Sequence, residues 1–254
     1  MAKIVVFDSG LGSLSIIKAI QKISKSEIIY FADQENFPYG QKSQAQLSKI
    51  IKNSIKLLDK KFSPNLIVVA SNTPSLMLNL PSKKIIDVKP PLKEALKISK
   101  TKQIGILATK SAIDSEGLTQ YIKENNFSKK SKIFKINGSD LVDLVESGKF
   151  ISNKKHCNKI IKKILEQTLF QNNIDTITLS STHLLFLKLL LKKQFPKIDF
   201  IDPSKMIAKK ILLITQNNQS QKNSLKIFAT GDTKAFELKL NKIGIKNKVN
   251  LIPS

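Results

Sequence analysis

Two tripeptides carry side chains that could do chemistry. Ser71-Asn72-Thr73 and Ser181-Thr182-His183 each follow a short run rich in apolar and β-branched residues, Leu66–Ala70 and Asp175–Ser180. Asp8-Ser9 follows a similar run at Lys3–Phe7, and Thr109 ends another that begins at Gln103. A serine hydroxyl is a weak acid, so it takes part in proton transfer or attack only with a neighbouring base. Histidine exchanges protons near neutral pH, and aspartate does so when desolvation raises its pKa. Small hydroxyl and amide side chains, backed by helix N-termini, also suit a bound carboxylate. A plainer role competes at each position, because Ser, Thr and Asn commonly cap the helices they precede. The recurrence of the set in both halves of the chain favours binding.

These residues need elements to hold them. Apolar spacing predicts a helix over Leu14–Ile23, a strand at Ile28–Ala32, a turn at Asn36-Phe37-Pro38-Tyr39-Gly40 and a lysine-decorated helix over Gln44–Lys60. Continuous β-branched runs separated by helices predict an α/β fold with mainly parallel sheets covered on both faces. The rhythm then restarts, since Gln103–Thr109 answers the opening strand and Asp175–Ser180 answers Leu66–Ala70. Two pseudo-symmetric domains are expected, residues 1–92 plus 205–254 and residues 93–204. Lys89-Pro90-Pro91 would lead into the second domain, because consecutive prolines do not continue a helix, and Ile198–Pro203 would lead back out. In such sheets ligands bind at the carboxyl ends of the strands, where Asp8, Ser9, Ser71, Asn72, Thr73, Thr109, Ser181, Thr182 and His183 all fall.

Composition narrows the function classes. With 254 residues the chain can bury roughly 70–75% of its unfolded surface, so it needs no disulfide or metal staple. A single cysteine, Cys157, excludes an internal disulfide framework and a Cys-rich zinc module, and fits a reducing, cytoplasmic setting. Its neighbours Ile160 and Ile161 favour a packing role for it, and His156 is expected to be solvated among lysines. No apolar run is long enough for a signal-peptide core or a membrane span. The net charge of +24 invites a nucleic-acid partner. That partner is not favoured, because all 43 basic residues are lysine, evenly spread, and none is the arginine best suited to bidentate phosphate contacts. Two histidines without helical pairing argue against a metal site. Gly10-Leu11-Gly12 lacks the third glycine of a dinucleotide fingerprint, and neither Ser71 nor Ser181 sits in Gly-x-Ser-x-Gly, which argues against a hydrolase nucleophile.

Read in order, Asp8-Ser9-Gly10, Tyr30-Phe31-Ala32-Asp33, Asn36–Gly40, Ser71-Asn72-Thr73, Leu107-Ala108-Thr109, Leu141-Val142 with Val145-Glu146, Ser181-Thr182-His183, Ile201-Asp202-Pro203 and Thr230-Gly231-Asp232 resemble the motifs of glutamate racemase. The resemblance implies the aspartate/glutamate racemase fold, a small amino acid or dicarboxylate held between two domains, no cofactor and no metal. It places Asp8 beside Ser71, and His183 with Glu146 beside Ser181, as catalytic groups. It assigns Ser9, Pro38, Tyr39, Gly40, Asn72, Thr73, Thr109 and Thr182 to substrate binding. Asp202-Pro203 and Thr230-Gly231-Asp232 read as architectural, and a homodimer is left open.

One departure bears on the chemistry. The family pattern moves the α-proton with two cysteine thiols, one in Cys-Asn-Thr and one in Cys-Thr-His, where this chain has Ser71 and Ser181. A thiol has an unperturbed pKa near 8.5 and a serine hydroxyl is far less acidic, so the replacement raises the barrier to deprotonation while preserving shape. Three functions follow from the resemblance. The supporting acids and histidine act as bases with the serines as relays, giving a cofactor-independent racemase or epimerase of glutamate or a related acidic amino acid. Alternatively the chain is a silent amino-acid or dicarboxylate binder, or a lyase or isomerase of the same superfamily. Ala112, where a threonine is usual, and Gly138-Ser139, where Cys-Pro is common, are lesser departures that loosen the expected glutamate preference.

Overall fold

A computed structural model describes residues 2–80, 82–125, 131–216 and 221–253. The chain divides into two compact units, Met1–Val88 with Ser204–Ser254, and Lys89–Pro203.

The first unit opens with β1 (Lys3–Asp8), α1 (Ser13–Ile23) and β2 (Glu27–Ala32). Two short 3₁₀ turns, Gln34–Asn36 and Tyr39–Gln41, then lead to α2 (Gln44–Phe62), β3 (Leu66–Val69), α3 (Asn72–Met77) and β4 (Ile85–Asp87). β1 lies between β2 and β3, in parallel register with both, so that Val5 pairs with Ile29 on one side and Ile67 on the other. Ile4 to Phe7 and Ile28 to Phe31 are buried throughout, which accounts for their unbroken apolar character. On α2, Leu47, Ile51 and Leu58 point inward while lysines occupy the outer face. Its start is fixed by a capping box, in which Ser43 Oγ accepts from Gln46 N–H and Gln46 Oε1 accepts from Ser43 N–H.

The second unit repeats this plan. It contains α4 (Leu92–Ile98), β5 (Gln103–Ala108), α5 (Lys110–Asp114), α6 (Glu116–Glu124) and β6 (Lys132–Asn137). There follow α7 (Ser139–Glu146), α8 (Lys149–Ser152), α9 (Lys154–Gln171), β7 (Thr176–Leu179), a 3₁₀ segment Thr182–Leu187, α10 (Lys188–Gln194) and β8 (Asp199–Ile201). The parallel order β6-β5-β7-β8 matches β2-β1-β3-β4 strand for strand. Gly105 and Gly138 permit close packing here, since a Cβ on Gly105 would lie 3.0 Å from Ile136 Cδ1 and one on Gly138 3.0 Å from Leu107 Cδ1. Cys157 is buried in the core of this unit with Val145, Ile161 and Leu165, and burial pushes its thiol pKa up. His156 is half-buried rather than fully solvated.

The segment Ile198–Pro203 is more than an exit. Asp199 to Ile201 pair with Thr176 to Thr178, so it supplies an edge strand before the chain returns to the first unit. There α11 (Ser204–Thr215) packs on α1, and β9 (Ser224–Ala229) and β10 (Val249–Leu251), joined through α12 (Thr233–Lys242), extend the first sheet beyond β2. No helix among the described residues is long and apolar enough to cross a membrane.

Candidate active site

In each sheet two adjacent strands, β1 and β3 in the first and β5 and β7 in the second, lead off to opposite sides, and ligand crevices form at the carboxyl ends of such strands. The sequence places its hydroxyls there. Phe7 pairs with Val69, and Ala70 N–H donates to Phe7 O (2.8 Å), so Asp8 and Ser71 leave adjacent strands together. In the other unit Leu107 pairs with Leu179, and Ser180 N–H donates to Leu107 O (2.8 Å), which brings Thr109 and Ser181 to the corresponding place. The backbone agrees closely, with φ −136° and ψ 129° at Ser71 against φ −142° and ψ 132° at Ser181. Neither serine, nor Thr109, makes a side-chain cap to the helix or turn that follows it. The competing capping role therefore does not account for these hydroxyls.

In the first unit the neighbours of Ser71 are buried and closely tied. Asp8 Oδ1 accepts from Ser9 N–H (2.7 Å), and Ser9 O accepts from Gln34 Nε2 (2.5 Å). Tyr39 Oη donates to Asp33 Oδ2 (3.0 Å), and its phenol pKa is raised by burial, then by the negative charge of Asp33 and of Asp8. Pro38 follows a cis peptide bond from Phe37, and the turn that contains Tyr39 and Gly40 packs on α3. Asn72 and Thr73 are buried at the start of α3. Asn72 Nδ2 donates to Val88 O (2.8 Å), while its Oδ1 is buried with no partner among the described residues. A buried amide oxygen left unsatisfied costs free energy, and a ligand N–H would remove that cost.

The second unit supplies a different pairing. His183 Nε2 lies 2.7 Å from Glu146 Oε1, and both side chains are buried. Packing of α7 on the 3₁₀ segment that begins at Thr182 brings them together. A buried histidine held by a carboxylate is fixed in ring orientation and can pass a proton. Thr182 is buried alongside, and Thr109 Oγ1 lies 3.3 Å from Ser111 Oγ.

Two residues of this region were not assigned a role from the sequence. Asp33 receives hydrogen bonds from Tyr39 Oη, from Thr230 Oγ1 (3.1 Å) and from Asn36 Nδ2 (2.9 Å), and so ties together the exits of β2 and β9 and the Asn36–Gly40 turn. Its position one residue past β2, as Ser9 is one past β1, was the available signal. Thr230 gains a partner by the same network, while Asp232 caps α12 through Ala235 N–H (3.0 Å). The second residue is Ser75, buried in α3. Among the described residues no three His, Cys, Asp or Glu side chains gather so as to hold a metal ion.

No family model matches the chain. A curated glutamate racemase from Buchnera aphidicola is 36% identical over 239 residues, covering 87% of this chain and 88% of that protein. The chain belongs to the glutamate racemase family. A glutamate racemase of Glaesserella parasuis is 29% identical over 258 residues, covering 94% of this chain and 92% of its own length. Among solved structures, a glutamate racemase isoform from Bacillus anthracis superimposes with a TM-score of 0.83 at 25% identity, over 99% of this chain and 97% of that one. The Francisella tularensis glutamate racemase, crystallised with D-glutamate, shares the fold with a TM-score of 0.80 at 23% identity, covering 99% and 97%. Function of the glutamate racemase type thus rests on these relatives together with the α/β architecture.

Proposed function

We propose that the chain interconverts the enantiomers of glutamate, or of a related acidic amino acid, without a cofactor, and that each unit contributes one acid–base group. Ser71 with Asp8 forms one group, and Ser181 with His183 and Glu146 the other. On this reading the serines take the places of the two thiols in the family pattern. The Cα–H bond breaks with its electron pair left on the substrate's α-carbon and carboxylate. The proton passes to a serine oxygen as the serine's own proton passes to its supporting base, and the opposite group then delivers a proton to the other face. The observation that carries the reading is the duplicated exit, with two uncapped serines in matching register and backbone conformation. The unsatisfied Asn72 Oδ1 supports it as an acceptor for the substrate ammonium. Ser9, Pro38, Tyr39, Gly40, Thr73, Thr109 and Thr182 complete the proposed binding set, and the protein works in the cytoplasm on a free amino acid.

The test is deuterium incorporation at Cα of L- and D-glutamate and aspartate in D₂O, with thermal stabilisation by each amino acid measured in parallel. Exchange with one of them is expected. Stabilisation without exchange, combined with racemisation gained by S71C/S181C, would establish the silent binder instead. Neither exchange nor stabilisation, with no gain in the double variant, would overturn the reading.

A further inference from the structure

Ser75 sits one helical turn beyond Ser71, buried in the middle of α3. Its Oγ donates to the Ser71 carbonyl (2.7 Å), and the same oxygen accepts from the N–H of Val88 (3.0 Å). The first bond alone would be unremarkable, because helical serines often bond back to the carbonyl four residues earlier. The second is not local. Val88 is the last residue of the first unit's opening segment, and Lys89 begins the second unit. The Val88 carbonyl is held as well, by Asn72 Nδ2 (2.8 Å). Both polar backbone groups of the residue at which the chain leaves the first unit are therefore fastened to the turn that carries Ser71.

We propose that Ser75 is a positioning residue for the reaction. Its single oxygen fixes the backbone of Ser71 and fastens the departing strap to it, so that the placement of the Ser71 hydroxyl and of the strap are set together. The Asn72 amide completes the clasp with its nitrogen and turns its unsatisfied oxygen toward the ligand role proposed above. Among the described residues the second unit has no equivalent, since Leu185 occupies the position four residues after Ser181, and the His183–Glu146 contact joins that turn to α7 instead.

The inference rests on the proposed racemase chemistry for its functional half, and the experiment separates the two. S75A and S75T are made in the parent chain and in S71C/S181C. Turnover of L- and D-glutamate is followed together with amide hydrogen exchange at Val88. S75A is expected to lower kcat about tenfold or more with a smaller change in KM, and to speed Val88 exchange about tenfold, in line with loss of a buried hydrogen bond. S75T, which keeps the hydroxyl, restores both. Unchanged Val88 exchange in S75A would overturn the proposal, as would a kcat within twofold of the parent in a background that turns over. If neither background turns over, the racemase reading fails by that result, and the Val88 measurement with its rescue by S75T still decides whether the clasp exists.

Discussion

The two proposed acid–base groups differ in how their partners are held. His183 and Glu146 form a buried contact of 2.7 Å, so E146Q keeps the shape and replaces the carboxyl group that holds the ring. General acid–base groups contribute roughly 10²–10⁴-fold, and E146Q is expected to slow deuterium incorporation into glutamate by about a hundredfold while the thermal midpoint stays within a few degrees. Tyr39 gives a pH signature in the first unit. Its phenol pKa is raised in the fold by burial and then by Asp33 and Asp8, so the fold favours the protonated form. That stabilisation is fully present below tyrosine's unfolded pKa of about 10 and is lost as pH rises through the higher folded value. Relative to Y39F, the parent should therefore lose stability above about pH 10, as read by urea unfolding across pH 8–11. The placement of the two serines, Asp8 and His183 at strand exits is legible in the sequence because apolar runs locate those exits, whereas Glu146, at the end of α7, is reached only through the order of the family motifs. Asp33 and Ser75 were not assigned roles, because their importance lies in bonds to residues distant in sequence, one of them a backbone N–H that no residue type announces.

At the scale of elements, the parallel strands were legible because their apolar runs are unbroken, and the start of α2 falls where the sequence places it. In the sequence the edge strand at Asp199–Ile201 reads as a connector, because three residues with a charged first member carry almost no periodicity. What positions β7 is also hidden from pattern. Burial would push the pKa of Asp175 up. Hydrogen bonds from Ser99 Oγ (2.6 Å), Thr101 N–H (2.9 Å), Thr176 Oγ1 (2.9 Å) and Lys100 N–H (2.7 Å) outweigh it and hold the carboxyl below its ordinary value. A depressed carboxyl pKa stabilises the fold above the unfolded value of about 3.9, and this contribution is lost as pH falls through the folded value. D175N should accordingly cost about 1–3 kcal/mol at pH 7, with the gap to the parent closing below pH 3, as measured by denaturant midpoints.

Over the whole molecule, the duplication of a four-strand plan was legible as a restart of the same rhythm, and the lysine excess as a surface property. A net charge of +24 on a chain of this size carries self-repulsion. Screening relieves it, so the thermal midpoint should rise as sodium chloride goes from about 10 mM to 150 mM, where the Debye length falls from about 30 Å to about 8 Å. A midpoint that falls over this range would show that attractive ion pairs dominate instead.

Strand β9 pairs with β2 along Glu27 to Ala32, yet nearly two hundred positions of chain separate them. The unit spanning Lys89–Pro203 is continuous and holds all its own strands. On the ribosome, then, the part begun second is finished first, while β2 waits with an open edge until the last stretch of polypeptide is made. Nascent chains released near residue 210 should already protect the middle segment from protease and leave the amino-terminal one open to cutting.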